Sequence, residues 1–158
     1  MSTHDAGTHA AHGDAHSNLV DFINHHGVDT QWQREFYEHM HAYPELSGEE
    51  QETAGFIQDK LREFDCEVIT NIGGHGIVAL FRNGEGPTVL FRADFDGLPV
   101  QEATGVPFAS KNEGQMHACG HDMHTTALLG LCQILNESRD HWQGTFIALF
   151  QPAEETAS

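Results

Sequence analysis

The 158-residue chain is long enough for one domain with a real apolar core. Its 24 acidic against 7 basic residues give a formal net charge of −17, which argues against a nucleic-acid or anionic-membrane partner, and no apolar run approaches the roughly 20 residues that span a bilayer. The three cysteines, Cys66, Cys119 and Cys132, are too few and too unevenly numbered for a disulfide framework and predict a reducing, cytoplasmic setting with no secretory signal.

Taken in chain order, the first stretch is set apart by composition. "MSTHDAGTHAAHGDAHSNLVDFINHHGV" carries His4, His9, His12, His16, His25 and His26 among Ala, Gly and Asp. Its early part is too polar to offset chain entropy by burial, so residues 1–18 are expected to form a disordered His-rich arm ahead of a domain at 19–158. The arm reads either as a metal scavenger or as a tolerated low-complexity tail. "TQWQREFYEHMHAY" then predicts a helix, with Thr30 as N-cap and Trp32, Phe36, Tyr37 and Met40 at helical spacing, ended by Pro44. "SGEE" places Ser47 three residues before Glu50, a capping-box pattern opening a second helix that buries Phe56, Ile57, Leu61 and Phe64.

"EVITNI" and "GIVALFR" read as strands across the Gly73-Gly74-His75-Gly76 turn, and "NGEG" before "PTVLFRAD" predicts a hairpin. "ALLGLCQILNES" is a helix with a wide apolar face. "GTFIALFQP" is nearly continuous in apolar residues, as for a strand covered on both sides. The order predicts an α/β fold: a mixed, mostly parallel sheet with flanking helices.

Three chemical clusters fall at strand ends or at a helix start. They are Asp94 and Asp96 in "FRADFDGLP", the crowded "MHACGHDMHTTALLG" with His117, Cys119, His121, Asp122 and His124, and Glu154–Glu155 in "LFQPAEE". Ligands in open α/β sheets bind beyond the carboxyl ends of the strands, so the three should converge. Cys, His and carboxylate together suit a divalent metal. Adjacent glutamates cannot point the same way in extended chain, so one could hold metal while the other moves protons, a layout for metal-assisted hydrolysis. Asp122 reads equally as a helix cap. His117 and His124 read as structural or substrate-facing before they read as ligands.

These blocks resemble the aminoacylase, hippurate hydrolase and indole-acetyl-amino-acid hydrolase group of metallopeptidases. "LFRADFDGLPVQEATGVPFAS", "MHACGHDMHTTALLG" and "FQPAEE" are similar to its signature blocks, and "HAYPELSGEEQET" and "GGHGIVALF" to its amino-terminal ones, all in order over residues 30–156. The resemblance implies a zinc-aminopeptidase-like catalytic domain of which this chain is the amino-terminal portion. It implies Cys119, His121 and Glu155 as metal ligands, Glu154 as general base and Asp96 as the residue that orients the site. Asp94, and with it His124, is left as a further metal or substrate contact. The implied cofactor is one or two divalent ions, Zn²⁺ ahead of Mn²⁺ or Co²⁺, and the implied partner a small N-acyl amino acid or peptide-like amide, with a homodimer in the full-length enzyme.

Two rival readings stand beside it. Cys119 could be a thiolate nucleophile activated by His121 or His117, which leaves the paired acids unexplained. Or the chain could be an inactive metal-binding or interaction module.

Overall fold

The computed structural model describes residues 21–22, 24–25 and 30–156; the His-rich arm expected over 1–18 and the boundary at 19 lie outside them. The described elements are α1 (Thr30–Ala42), α2 (Gln51–Leu61), β1 (Glu67–Ile72), β2 (Gly76–Asn83), β3 (Thr88–Asp94), α3 (His121–Glu137), a 3₁₀ turn (Arg139–His141), β4 (Gly144–Gln151) and a second 3₁₀ turn (Glu154–Thr156). No helix among the described residues is long and apolar enough to cross a membrane.

The helices bury the stripes their spacing predicts. α1 turns Phe36 and Met40 inward, and α2 turns Ile57 and Leu61. Trp32, Phe56 and Phe64 pack at the margin, and Phe36 stacks on Phe56 at 4.3 Å between ring centroids. Under them, Ile77, Phe81, Phe146 and Phe150 from the sheet and Leu129 and Cys132 from α3 complete the core.

The four strands form one mixed sheet in the order β1-β2-β4-β3. β1 and β2 pair antiparallel across the glycine-rich turn. Two expectations need correction. The "NGEG" loop joins β2 to β3 but makes no hairpin, because β4 lies between them, antiparallel to β2 and parallel to β3. For the same reason the sheet is not mostly parallel: two of its three pairings are antiparallel. The cause is burial. β4 is apolar on both faces and alternates buried with half-buried residues along its whole length, so it is most stable at the centre, flanked by β2 and β3. Gly144 permits the insertion: at φ +112° it lies so close to Pro87 that any Cβ there would meet the Pro87 carbonyl.

The parallel register sets Asp94 opposite Gln151. The carboxyl ends of β3 and β4 therefore finish side by side, and both chemical tails start from one edge of the sheet.

Candidate metal centre

Each functional side chain sits at the end of a rigid element. β3 ends at Asp94, and the chain continues through buried Phe95 and Asp96. α3 begins at His121 directly after Gly120, whose left-handed φ of +83° turns the backbone into the helix. β4 ends at Gln151, and Pro152-Ala153 lead into the 3₁₀ turn of Glu154 and Glu155.

The last point corrects the expectation that the two glutamates point to opposite faces of an extended end. On a 3₁₀ turn neighbours are roughly 120° apart, and both carboxylates reach the same imidazole. His121 Nε2 lies 3.7 Å from Glu154 Oε2, 3.7 Å from Glu155 Oε1 and 3.6 Å from Asp94 Oδ2.

The other nitrogen of His121 is fully engaged. Nδ1 faces only acceptors, the Asp96 carbonyl at 2.9 Å and Asp96 Oδ1 at 3.1 Å, so it carries the proton and donates. Nε2 is thereby the nitrogen presented to the acids. Asp96 is a hub: its Oδ2 also accepts from Ser47 Oγ at 2.6 Å and from the Glu155 N–H at 2.9 Å. Burial pushes the Asp96 pKa up, but these hydrogen bonds outweigh it and hold the carboxyl below its ordinary value.

Two donor sets share His121. Cys119, His121 and Glu155 each offer a ligand atom within 4.8 Å of the others, and so do Asp94, His121 and His124. In the second set Asp94 is already paired, accepting from His124 Nδ1 at 2.8 Å and facing Arg92 at 3.2 Å. In the first set Glu155 Oε1 is buried with no hydrogen-bond partner. Three carboxylates around one ring nitrogen, beyond hydrogen-bond reach of it, repel one another unless a cation lies among them. The sulfur, nitrogen and oxygen donors suit a divalent transition ion.

The same surroundings oppose a thiolate nucleophile. The Cys119 thiol is held above its ordinary value by its interaction with Glu155 and by the charges of Glu154 and Asp94, whereas a reactive cysteine needs an electropositive site. His117 is no activator either: it is buried, neither ring nitrogen has a hydrogen-bond partner, and burial pushes its pKa down to about 4.

The structure gives three residues read as helix caps other partners, and adds His41 and Glu102, which sequence reasoning missed. Ser47 does not cap α2; it holds Asp96. Glu50 is buried and accepts from the Ala153 N–H at 2.6 Å. Asp122 is not the cap expected of it: the N-cap of α3 is Gly120, with no side-chain cap bond; one Asp122 oxygen accepts from the Met123 N–H, the other takes His41 Nδ1 at 2.6 Å, and His41 Nε2 lies 3.2 Å from Glu102.

Comparison with known proteins bears on the family of the chain. The family model "Peptidase family M20/M25/M40" matches residues 90–158. The chain is 48% identical to N-acetyl-L-cysteine deacetylase of Bacillus subtilis (strain 168) over 121 residues, 76% of this chain and 29% of that protein. This chain belongs to the M20/M25/M40 peptidase family. A second family relative, hippurate hydrolase of Campylobacter jejuni, is 42% identical over 140 residues, 87% of this chain and 35% of that one. Among solved family structures, Bacillus subtilis YXEP, described as a dinuclear metal-binding peptidase, superposes with a TM-score of 0.76 at 38% identity, over 88% of this chain and 38% of that one. The chain spans about a third of the length of the curated relatives it matches.

Proposed function

We propose that this chain carries part of the catalytic centre of a metal-dependent amidohydrolase that cleaves the amide bond of N-acyl amino acids or small peptide-like substrates. The observation that carries the reading is the convergence of Cys119, His121 and Glu155 on one point, with Glu154 beside it. Cys119, His121 and Glu155 hold the ion, Zn²⁺ in preference to Mn²⁺ or Co²⁺ because of the thiolate. The ion supplies a Lewis acid that polarises the amide carbonyl and acidifies water.

The remaining chemistry belongs to the side chains. Asp96 fixes the Nδ1–H tautomer of His121 and aims Nε2. Glu154, the more exposed of the two glutamates, accepts a proton from the attacking water and returns it to the departing amine nitrogen. Asp94 and His124 stand on the other side of His121 as a second ligand set or a substrate contact. The free thiols of Cys66, Cys119 and Cys132 support a reducing, cytoplasmic location.

The test separates the two glutamates. Glu154→Gln is expected to keep its metal and lose turnover by about 10²–10⁴-fold; Glu155→Gln is expected to bind metal weakly, with activity that added metal partly restores. Metal content by elemental analysis and turnover of hippurate and N-acetylcysteine, the compounds in the relatives' names, are followed across a metal titration. Rescue of Glu154→Gln and not of Glu155→Gln reverses the roles, and metal uptake unchanged in both Cys119→Ser and His121→Ala would falsify the site.

A further inference from the structure

One buried carboxylate next to the site has no part in the donor set. Glu50 is fully buried, at 0% exposure. Its side chain caps no helix. One oxygen accepts from the Ala153 N–H at 2.6 Å, across 103 residues of sequence, and the other has no hydrogen-bond partner. Burying a carboxylate is costly unless its bonds matter, and this one makes its bond to a residue in an unusual state. Ala153 has φ +52°. L-residues reach that left-handed region only against the contact between Cβ and the carbonyl oxygen. Without the reversal, β4 would run on extended and place Glu154 and Glu155 on opposite sides.

We propose that Glu50 is a positioning residue: by accepting the Ala153 N–H it holds the left-handed turn that delivers Glu154 and Glu155 to His121, and so sets the affinity of the cation site. Asp96 fastens the same turn at its other end through the Glu155 N–H. The chain from Ser47 to Glu50 thus clamps the site twice, once through Asp96 and once through Ala153. The inference rests on the reading of Cys119, His121 and Glu155 as a cation site.

The experiment is a Co²⁺ titration of the full chain, following the near-ultraviolet thiolate-to-cobalt absorption, with thermal melts of every variant. Glu50→Ala is expected to weaken Co²⁺ binding by about tenfold or more, as loss of an outer-shell support does. Glu50→Gln keeps a carbonyl oxygen for the same bond and is expected to keep the affinity. Ala153→Gly in the Glu50→Ala background is expected to restore most of it, because glycine takes positive φ unaided; a role in stability alone would not be repaired there. Ala153→Val leaves Glu50 in place and opposes the turn, so it is expected to weaken binding, and it carries the test if Glu50→Ala does not fold. Unchanged affinity in Glu50→Ala or Ala153→Val overturns the proposal, as does a loss in Glu50→Ala that Ala153→Gly leaves unrepaired. A wild-type chain without the thiolate band, or a band that survives Cys119→Ser, sinks the cation-site reading and the proposal with it; a normal wild-type band with no effect at Glu50 sinks the proposal alone.

Discussion

The two nitrogens of His121 face regions of opposite character. On the Nδ1 side lies Asp96, buried, with donors from His121, Ser47 and the Glu155 backbone on its two oxygens. On the Nε2 side stand Asp94, Glu154 and Glu155, each 3.6–3.7 Å from the ring, with Glu155 Oε1 buried and unpartnered. The same residue types are present on both sides. The difference is that the protein completes the first region by itself, while in the second Asp94 is paired with His124 and Arg92 but Glu154 and Glu155 have no basic side chain other than His121 within ion-pair distance among the described residues. The two sides are thus distinguished by hydrogen-bond satisfaction, not by residue identity.

The sharpest way to break this contrast is to remove the completed side. Asp96→Ala removes the acceptor of Ser47 Oγ and of the Glu155 N–H and leaves His121 Nδ1 only the backbone carbonyl, and the cation-free chain is expected to lose about 3 kcal/mol in urea denaturation. A loss below about 1 kcal/mol would mean that Asp96 supports nothing. Next comes the ion itself: Zn²⁺ at about a hundred times its Kd is expected to add about 2.7 kcal/mol to stability. Cys119→Ser and Glu155→Gln should forfeit that gain, as judged by thermal melts with and without metal.

A smaller and opposite effect belongs to the unsatisfied side. Without metal, Glu155→Gln removes one of the crowded charges, so its stability is expected within about 1 kcal/mol of wild type, on the stabilised side. A penalty equal to that of Asp96→Ala would erase the distinction. The smallest effect concerns His41, which lies between Asp122 and Glu102. Burial pulls its pKa down, but the hydrogen bonds to Asp122 and Glu102 outweigh it, so the folded value is raised. A raised folded pKa favours the protonated form in the fold. Its contribution is fully present below the unfolded value of about 6.5 and is lost as pH rises through the folded one. The difference in melting temperature between wild type and His41→Gln, both metal-free, is therefore expected to shrink from about pH 6 to about pH 9; a constant difference contradicts the charged bridge.

The site was legible in sequence where its signals were local. Cys119, His121 and the paired acids stood out because each follows an apolar strand or opens an apolar helix, and such positions lie together at one sheet edge. The supports were not legible. Ser47 and Glu50 match a capping box, yet their partners are Asp96 and Ala153, 49 and 103 residues away. A local pattern cannot announce a distant buried donor that has no other acceptor. The same limit explains the misplaced hairpin: "NGEG" is a turn in sequence, but whether two strands pair depends on which third strand can be buried between them.

By itself, then, the sequence determined the helices and strands, through apolar periodicity, and the donor chemistry, through the residue types that close β3 and β4 and open α3. Only the tertiary structure decided that β4 is central, that Ala153 turns left-handed, and that His121 gives Nδ1 to Asp96 and Nε2 to the acids. Those outcomes depend on burial and on hydrogen bonds between segments far apart in the chain, and neither exists until the sheet has closed.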